Sequence, residues 1–324
     1  MAANFLNATQ SQHYLSQAEQ RLNTSTPQAA SKNQRIYEFD VIGRFHDAKL
    51  GQPRNPRIRA NLALDDVFSF DVKKNSTLRQ NFEALFHAYE DNIVAHSEAV
   101  LQKAAANDND GMNVEVFELF KAKLLNFMRN PHSVPKMLDT FRQITMVVPT
   151  DPDRRAQLDE VLNGNRPHEE TTCKVLGLTR DQYTVWLGTQ FMLLSDVATD
   201  QDSLFDQIVN SLFTNPAVVV LVWIGKYTEH RCMLSDRAAT SSINLPGVDC
   251  IEFNLRHDAF IRYVFRHRNM FRPELTQQQI DAMPKVFNVY YSVDDMEHLR
   301  AFNQNVINQS HSRVFCSTDK GLVF

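Results

Sequence analysis

The chain has 324 residues, 43% of them apolar, and a net charge of −4 at neutral pH. That length and apolar share provide for a substantial core, and the acidic balance excludes a wholly polybasic binder while leaving room for local basic patches. Nine glycines are too few for a glycine-rich nucleotide loop to be expected.

The cysteines, Cys173, Cys232, Cys250 and Cys316, stand far apart, without the CxxC spacing of a structural zinc site, and fit a reducing cytosol. The first residues lack a basic segment followed by an apolar one, so no signal peptide is expected. No stretch approaches transmembrane length. The expected setting is cytoplasmic.

Residues 1–34 are rich in Gln, Asn, Ser and Thr. From Arg35 to Val41, the apolar Tyr37, Phe39 and Val41 alternate with Glu38 and Asp40, the period of a half-buried strand. Residues 43–61 carry Arg54, Arg57 and Arg59 among prolines and glycines, a loop whose arginines are expected to be solvated rather than bound to phosphate. From Thr77 the spacing turns helical, with Leu78, Phe82, Leu85, Phe86, Tyr89 and Ile93 on one face and Thr77 with Gln80 as a capping box. This helix should end before Asn107–Gly111. That run starts like a calcium loop, but Leu119 stands where the twelfth-position glutamate belongs, so it is expected to be a turn.

A second helix follows with Phe117, Phe120, Leu124 and Phe127 inward, ending at Arg129-Asn130-Pro131, and a third with Val134, Met137, Leu138 and Phe141. Asp151-Pro152 opens a fourth, and the patterns around Trp186 and Phe205 add two more. Val218–Ile224 is a continuous, β-branched-rich run, expected to be a buried central strand with Tyr227–Leu234 as its hairpin partner. That pairing would deliver Asp236 to the end of a central strand, as a functional acid or as the cap of a Ser-Asp turn. Beyond it come a strand at Val248–Leu255, a short helix near Asp258–Phe265, a Thr276-capped helix, a strand at Val286–Val293, a helix opened by Asp295 and a strand at Arg313–Ser317.

These elements predict an α+β fold: a central, mostly antiparallel sheet built from the N-terminal strand and the C-terminal strands, with a helical middle region. The expected organisation is one integrated domain over 1–324, helical over about 75–214 and sheet-rich over 35–42 and 215–324.

The pieces His13-Tyr14-Leu15, Ile36-Tyr37, Arg129-Asn130-Pro131, Leu234-Ser235-Asp236 and Asn303 through Arg313-Val314-Phe315 agree in order and rough spacing with a widespread prokaryotic family. The chain resembles a divergent member of that family, catalogued as a domain of unknown function (numbered four-two-three-eight). The proline that usually follows the opening histidine is absent, and Arg237-Ala238 replaces the one after Ser-Asp. The resemblance implies a fold and a set of polar positions, and no established chemistry.

His13, Glu83 or Glu90, Arg129, Asp236 and Asn303 are of the types that build a hydrolytic site. A carboxylate and a histidine orient water or a metal, an arginine holds phosphate and an asparagine fixes the scissile group. The competing expectation is a buried hydrogen-bond network. Specific templates match poorly. Asn254 stands where a restriction-like Glu-x-Lys at Glu252 needs its lysine, and Pro131 interrupts the Arg129…His132 spacing of a helical RNase. Neither a Gly-x-Ser-x-Gly elbow nor a P-loop is present.

Phe260–Arg272 (FIRYVFRHRNMFR) is dense in cations for an acidic chain, with Arg262, Arg266, His267, Arg268 and Arg272 interleaved with Tyr263 and other aromatics. On a helix, Arg262 and Arg266 would share a face able to neutralise phosphates while an aromatic stacks on a base. The alternative is an amphipathic element whose arginines pair with the surplus acids.

The leading expectation is a nuclease-like hydrolase acting on nucleic acid, a bacterial or phage-encoded effector of anti-phage defence or a toxin system, with Mg2+ or Mn2+ as the candidate metal. The competing one is a non-enzymatic interaction or sensor subunit that binds a protein partner of such a system. Neither involves a membrane.

Overall fold

The hydrophobic period of the chain changes from two to about 3.6 and back again, and the elements follow it. The computed structural model describes residues 5–73, 77–108, 110–141, 143–144, 147–195, 202–242 and 245–324. Among these, the first part of the chain forms β1 (Leu6–Asn7), β2 (Ser11–His13), α1 (Gln17–Leu22), β3 (Tyr37–Gly43), β4 (Lys49–Leu50), β5 (Ala63–Asp65), β6 (Ser69–Val72) and β7 (Arg79–Asn81). The middle forms α2 (Glu83–Glu90), α3 (Ile93–Ala105), α4 (Asn113–Met128), α5 (Val134–Thr140), α6 (Pro152–Asn163), α7 (Glu169–Leu176), α8 (Arg180–Leu194) and α9 (Leu204–Thr214). The last part forms β8 (Val218–Lys226), β9 (Leu234–Ser235), β10 (Val248–Arg256), β11 (Ala259–His267), α10 (Arg268–Phe271), α11 (Gln277–Asp281), β12 (Phe287–Val293), α12 (Met296–Gln309) and β13 (Arg313–Cys316). The fold is α+β. None of the described helices is long and apolar enough to cross a membrane.

The chain divides into two compact units, each built from separate segments. The first comprises 1–14, 62–91 and 125–208. It holds the antiparallel sheet β1-β7-β6 and the strand pair β2-β5. Its core is aromatic: Phe5, Phe70 and Phe82 meet edge-on or tilted, and Phe68 contacts both Phe86 and Trp186. The polar tips of two buried rings of α8 are satisfied, since Tyr183 Oη donates to the Val67 carbonyl at 2.9 Å and Trp186 Nε1 to that of Met128 at 3.2 Å.

The second unit comprises 15–61, 92–124 and 209–324. It contains two four-stranded sheets, β10-β11-β8-β12 and β4-β3-β13-β9. In the first, β8 runs antiparallel to β11 and parallel to β12. One face of this sheet buries Val220, Val222, Ile224, Tyr263 and Phe265, with Phe120 of α4 seated on Tyr263 and Phe265 at 4.8 and 5.3 Å. On the other face α12 lays Phe302 flat on Phe260 at 4.5 Å. Each such ring removed from water contributes about 2 kcal/mol. In the second sheet β13 pairs with β3, Arg313 opposite Asp40, so the N-terminal strand does join C-terminal strands as expected.

Three expectations are corrected. Thr77 and Gln80 do not open a helix: Arg79–Asn81 is drawn into β7 between β1 and β6, and Leu78 is solvent-exposed. Local helical spacing yields there to strand pairing. Tyr227–Leu234 is not the partner of β8; Thr228-Glu229-His230-Arg231 offers no apolar alternation, and only Leu234–Ser235 pairs, with β13. Asp236 therefore follows β9, in a different sheet from β8. Asp258–Phe265 is not a helix, because β11 forms a hairpin with β10 in which Glu252 faces Arg262 and Cys250 faces Val264. The turn expected at 107–111 is present, with Asp108 Oδ1 accepting from the Gly111 amide at 3.0 Å, while Asn109 lies outside the described residues.

Candidate nucleic-acid interface

The residues expected to be catalytic fall in two units. In the first unit, His13 is half-buried on β2, paired with Ala63. Glu83, Phe86 and Glu90 share one face of α2 by their three- and four-residue spacing. Arg129, just past the end of α4, is almost wholly buried; it ion-pairs with Glu90 and lies 4.9 Å from the Phe86 ring centre. Burial pushes the Glu83 carboxyl above its usual range, against the pull of Arg129 and His87. This is a buried charge cluster that ties the end of α4 to α2.

In the second unit, Asp236 is 2% exposed. Its Oδ1 accepts from the His311 amide at 2.6 Å, and its Oδ2 from the Ser312 and Arg313 amides, both at 2.8 Å. Burial raises its carboxyl, and the three amides, which favour the charged form, oppose that rise. Asp236 therefore caps the turn leading into β13. Asn303 of α12 accepts from the Met233 amide at 2.9 Å and donates to the carbonyls of Arg231 and Val323 at 3.0 and 2.7 Å. Three backbone amides thus converge on the Asp236 carboxylate. Among the described residues no group of three or more His, Cys, Asp or Glu side chains is placed to hold a metal.

The cationic segment runs along β11 to His267, where side chains alternate between faces, and then turns into α10. Tyr263 points into the core and donates to the Val116 carbonyl at 2.8 Å. Arg262 pairs with the fully buried Glu252 at 2.6 Å, and that carboxylate also accepts from Asn305 at 3.0 Å and Thr240 at 3.2 Å. Arg268 is buried and donates to the Pro284 carbonyl at 2.7 Å. His267 meets Asp249 at 3.2 Å, and Arg272 meets Glu274 at 2.8 Å. Arg266 is exposed, its guanidinium 4.2 Å from the Phe271 ring centre.

The helical stripe is thus replaced by a sheet face. Pairing register aligns Glu252, Arg262, Trp223 and Tyr290 across β10, β11, β8 and β12. Trp223 and Tyr290 are stacked with centroids 6.0 Å apart and planes 28° apart, and the His298 ring of α12 lies 4.4 Å from Trp223. Trp223 Nε1 donates to Ser292 Oγ at 3.1 Å. Tyr290 keeps 46% of its surface exposed. α12 covers the end of the face near Phe260, while Val219, Leu221 and Val264 remain half-buried and Asn288 and Arg266 are exposed. An aromatic pair flanked by arginines and a histidine, on a half-open sheet, can stack bases and hold phosphates.

Sequence reasoning missed Trp223, Tyr290 and His298. Trp223 sits inside a run that reads as uniformly buried. The available signal was parity: Trp223 and Arg262 fall on the same face once β8 and β11 are paired antiparallel. No family model, no curated protein and no solved structure matches the chain.

Proposed function

We propose that this protein binds single-stranded nucleic acid on the open face of the β10-β11-β8-β12 sheet, and that binding rather than hydrolysis is its activity. The observation that carries the reading is the Arg262–Trp223–Tyr290 row, with His298 against Trp223 and Arg266 on the same face. Trp223 and Tyr290 offer ring faces to bases of any sequence, and Arg266 offers charge to the backbone. Of the residues expected to cleave, Arg129 is held in an ion pair, Asp236 in a turn cap and Asn303 in a backbone clamp, which favours a sensor over a nuclease. The four cysteines are free and buried, which supports a reducing cytosol. Membership of the family that the motifs resemble, and a role in defence or a toxin system, belong to the same proposal. Its support is that Tyr37, Leu234-Ser235 and Arg313-Val314-Phe315 meet on one sheet.

The test is fluorescence anisotropy with labelled oligo(dT) and oligo(U) at several salt concentrations, beside a cleavage gel with and without Mg2+ or Mn2+. Binding is expected for both strands, with a log–log salt slope of about −0.7 to −1.4, from one or two neutralised phosphates. Trp223→Ala should weaken it about tenfold or more, one stacked base being worth about 1–3 kcal/mol. Absence of binding overturns the proposal. Cleavage that is lost in a folded Asp236→Ala variant restores the nuclease.

A second reading, a protein-binding module, is favoured by Ile42 and Phe45, which lie close together along the chain and are 64% and 67% exposed.

A further inference from the structure

β12 is an edge strand, the last in the order β10-β11-β8-β12. Its residues Phe287-Asn288-Val289-Tyr290-Tyr291-Ser292-Val293 pair with β8 without a bulge over their whole length. The Val220 amide donates to the Val286 carbonyl, so in a parallel ladder the even-numbered residues turn their backbone groups to β8 and the odd-numbered ones turn theirs outward. Among the described residues, the outward N–H and C=O groups of Phe287, Val289, Tyr291 and Val293 have no hydrogen-bond partner. Protein edges are ordinarily blunted by charge, proline, bulges or shortness. This one has none of these: seven uncharged residues, no proline, an unbroken register.

We propose that the edge is completed by a second copy of this chain, β12 pairing antiparallel with β12 of the partner about a two-fold axis through Tyr290. This register overlaps all seven residues. It sets Phe287 against Val293 and Val289 against Tyr291, the outward-facing positions, so that each of these pairs exchanges both hydrogen bonds. Tyr290 meets Tyr290 at the close, non-hydrogen-bonded position, where aromatic pairs stabilise a sheet. A parallel or shifted pairing loses these matches. Because the axis is perpendicular to the sheet, the same faces of the two copies lie side by side. The row Arg262–Trp223–Tyr290 then continues as Tyr290–Trp223–Arg262, one platform twice as long. The pairing itself stands on the edge geometry. The lengthened platform rests on the nucleic-acid reading.

The test is sedimentation velocity of the full chain without nucleic acid, so that its outcome is separate from the binding assay. The wild type is expected to sediment as a concentration-dependent dimer. Tyr290→Lys and Tyr290→Glu, each folded by circular dichroism, are expected to be monomers alone and to recover the dimer when mixed. Val293→Pro deletes an amide with no partner within the chain and should also give a monomer. Tyr290→Cys should cross-link to itself under mild oxidation, the Cα atoms being about 4.5 Å apart, whereas Ser292→Cys, facing Asn288, should not. A wild type that stays monomeric at every concentration overturns the proposal. So does a dimer that survives both Tyr290→Lys and Val293→Pro.

Discussion

Asp236 shows how a residue that looks like a catalytic acid is put to structural use. Its carboxylate collects three amides at the turn into β13, and replacing it strands buried donors. Asp236→Ala is expected to cost about 3 kcal/mol in urea denaturation, with Asp236→Asn losing less because one acceptor remains. An unchanged midpoint would argue that the carboxylate is free for other work. Phe45 carries the opposite kind of information. It has φ of +56°, strained for a bulky residue, yet Asn308 Oδ1 accepts from its amide at 2.6 Å and its carbonyl accepts from Gln304 at 3.0 Å. Four contacts from Arg44 to Ile307, Asn308, Ser310 and His311 hold the same loop. Phe45→Asn, which tolerates the left-handed region, should therefore stabilise the protein by about 0.5–1 kcal/mol. A lower melting temperature would show that the ring supports the fold.

The element that decides the reading is the β10–β11 hairpin. Its turn is fastened by Asp258, which accepts from Arg256 Nε at 2.6 Å and ion-pairs with Lys226. Burial alone would raise this carboxyl, but the hydrogen bonds from Arg256 and Lys226 hold it below the usual value. A depressed folded-state pKa means that its stabilisation is complete above the unfolded value, about 4, and is lost as pH falls below it. The urea midpoint of the wild type should exceed that of Asp258→Asn near neutrality, and the gap should narrow toward about pH 3. A gap that widens on acidification would contradict this assignment.

The hairpin was also the least legible element in the sequence. Strands β8, β10, β12 and β13 and the helices with strong apolar stripes could be placed from periodicity and caps, Thr276 and Asp295 among them. In Phe260–Arg272, Arg262 with Arg266 and Arg268 with Arg272 stand four apart, a spacing that mimics a helix. Only pairing with β10, which sets Arg262 opposite Glu252, makes it a strand. A buried carboxylate that needs a cation across a ladder leaves no trace in local spacing.

On the scale of the whole molecule, discontinuous segments build each unit, so residues far apart in sequence share a network. Asn23 and Asn254 exchange side-chain hydrogen bonds at 2.8 and 3.0 Å, and Lys123, fully buried, pairs with Glu19 at 3.1 Å and donates to the Asn254 carbonyl at 2.7 Å. Removing one partner of such a pair leaves a buried charge. Lys123→Met, which removes only the cation, should cost about 3–5 kcal/mol, and Lys123→Met with Glu19→Gln should recover much of it. Additive losses in the double variant would show that the two do not act as a pair. Like this network, the Asp236 and Asn303 clamps give polar residues singled out in the sequence a structural role. Their types were legible, but their partners, mostly backbone groups, were not.

The proposed binding depends on bases stacking on Trp223. The chain has two tryptophans, and the other, Trp186, is fully buried in the first unit. The most direct measurement is intrinsic fluorescence during titration with unlabelled oligo(dT), for the wild type and for Trp223→Phe. Saturable quenching is expected at the affinity seen by anisotropy, lost in Trp223→Phe while weakened binding persists. Binding without quenching, or quenching unchanged in Trp223→Phe, would contradict it and place the nucleic acid elsewhere.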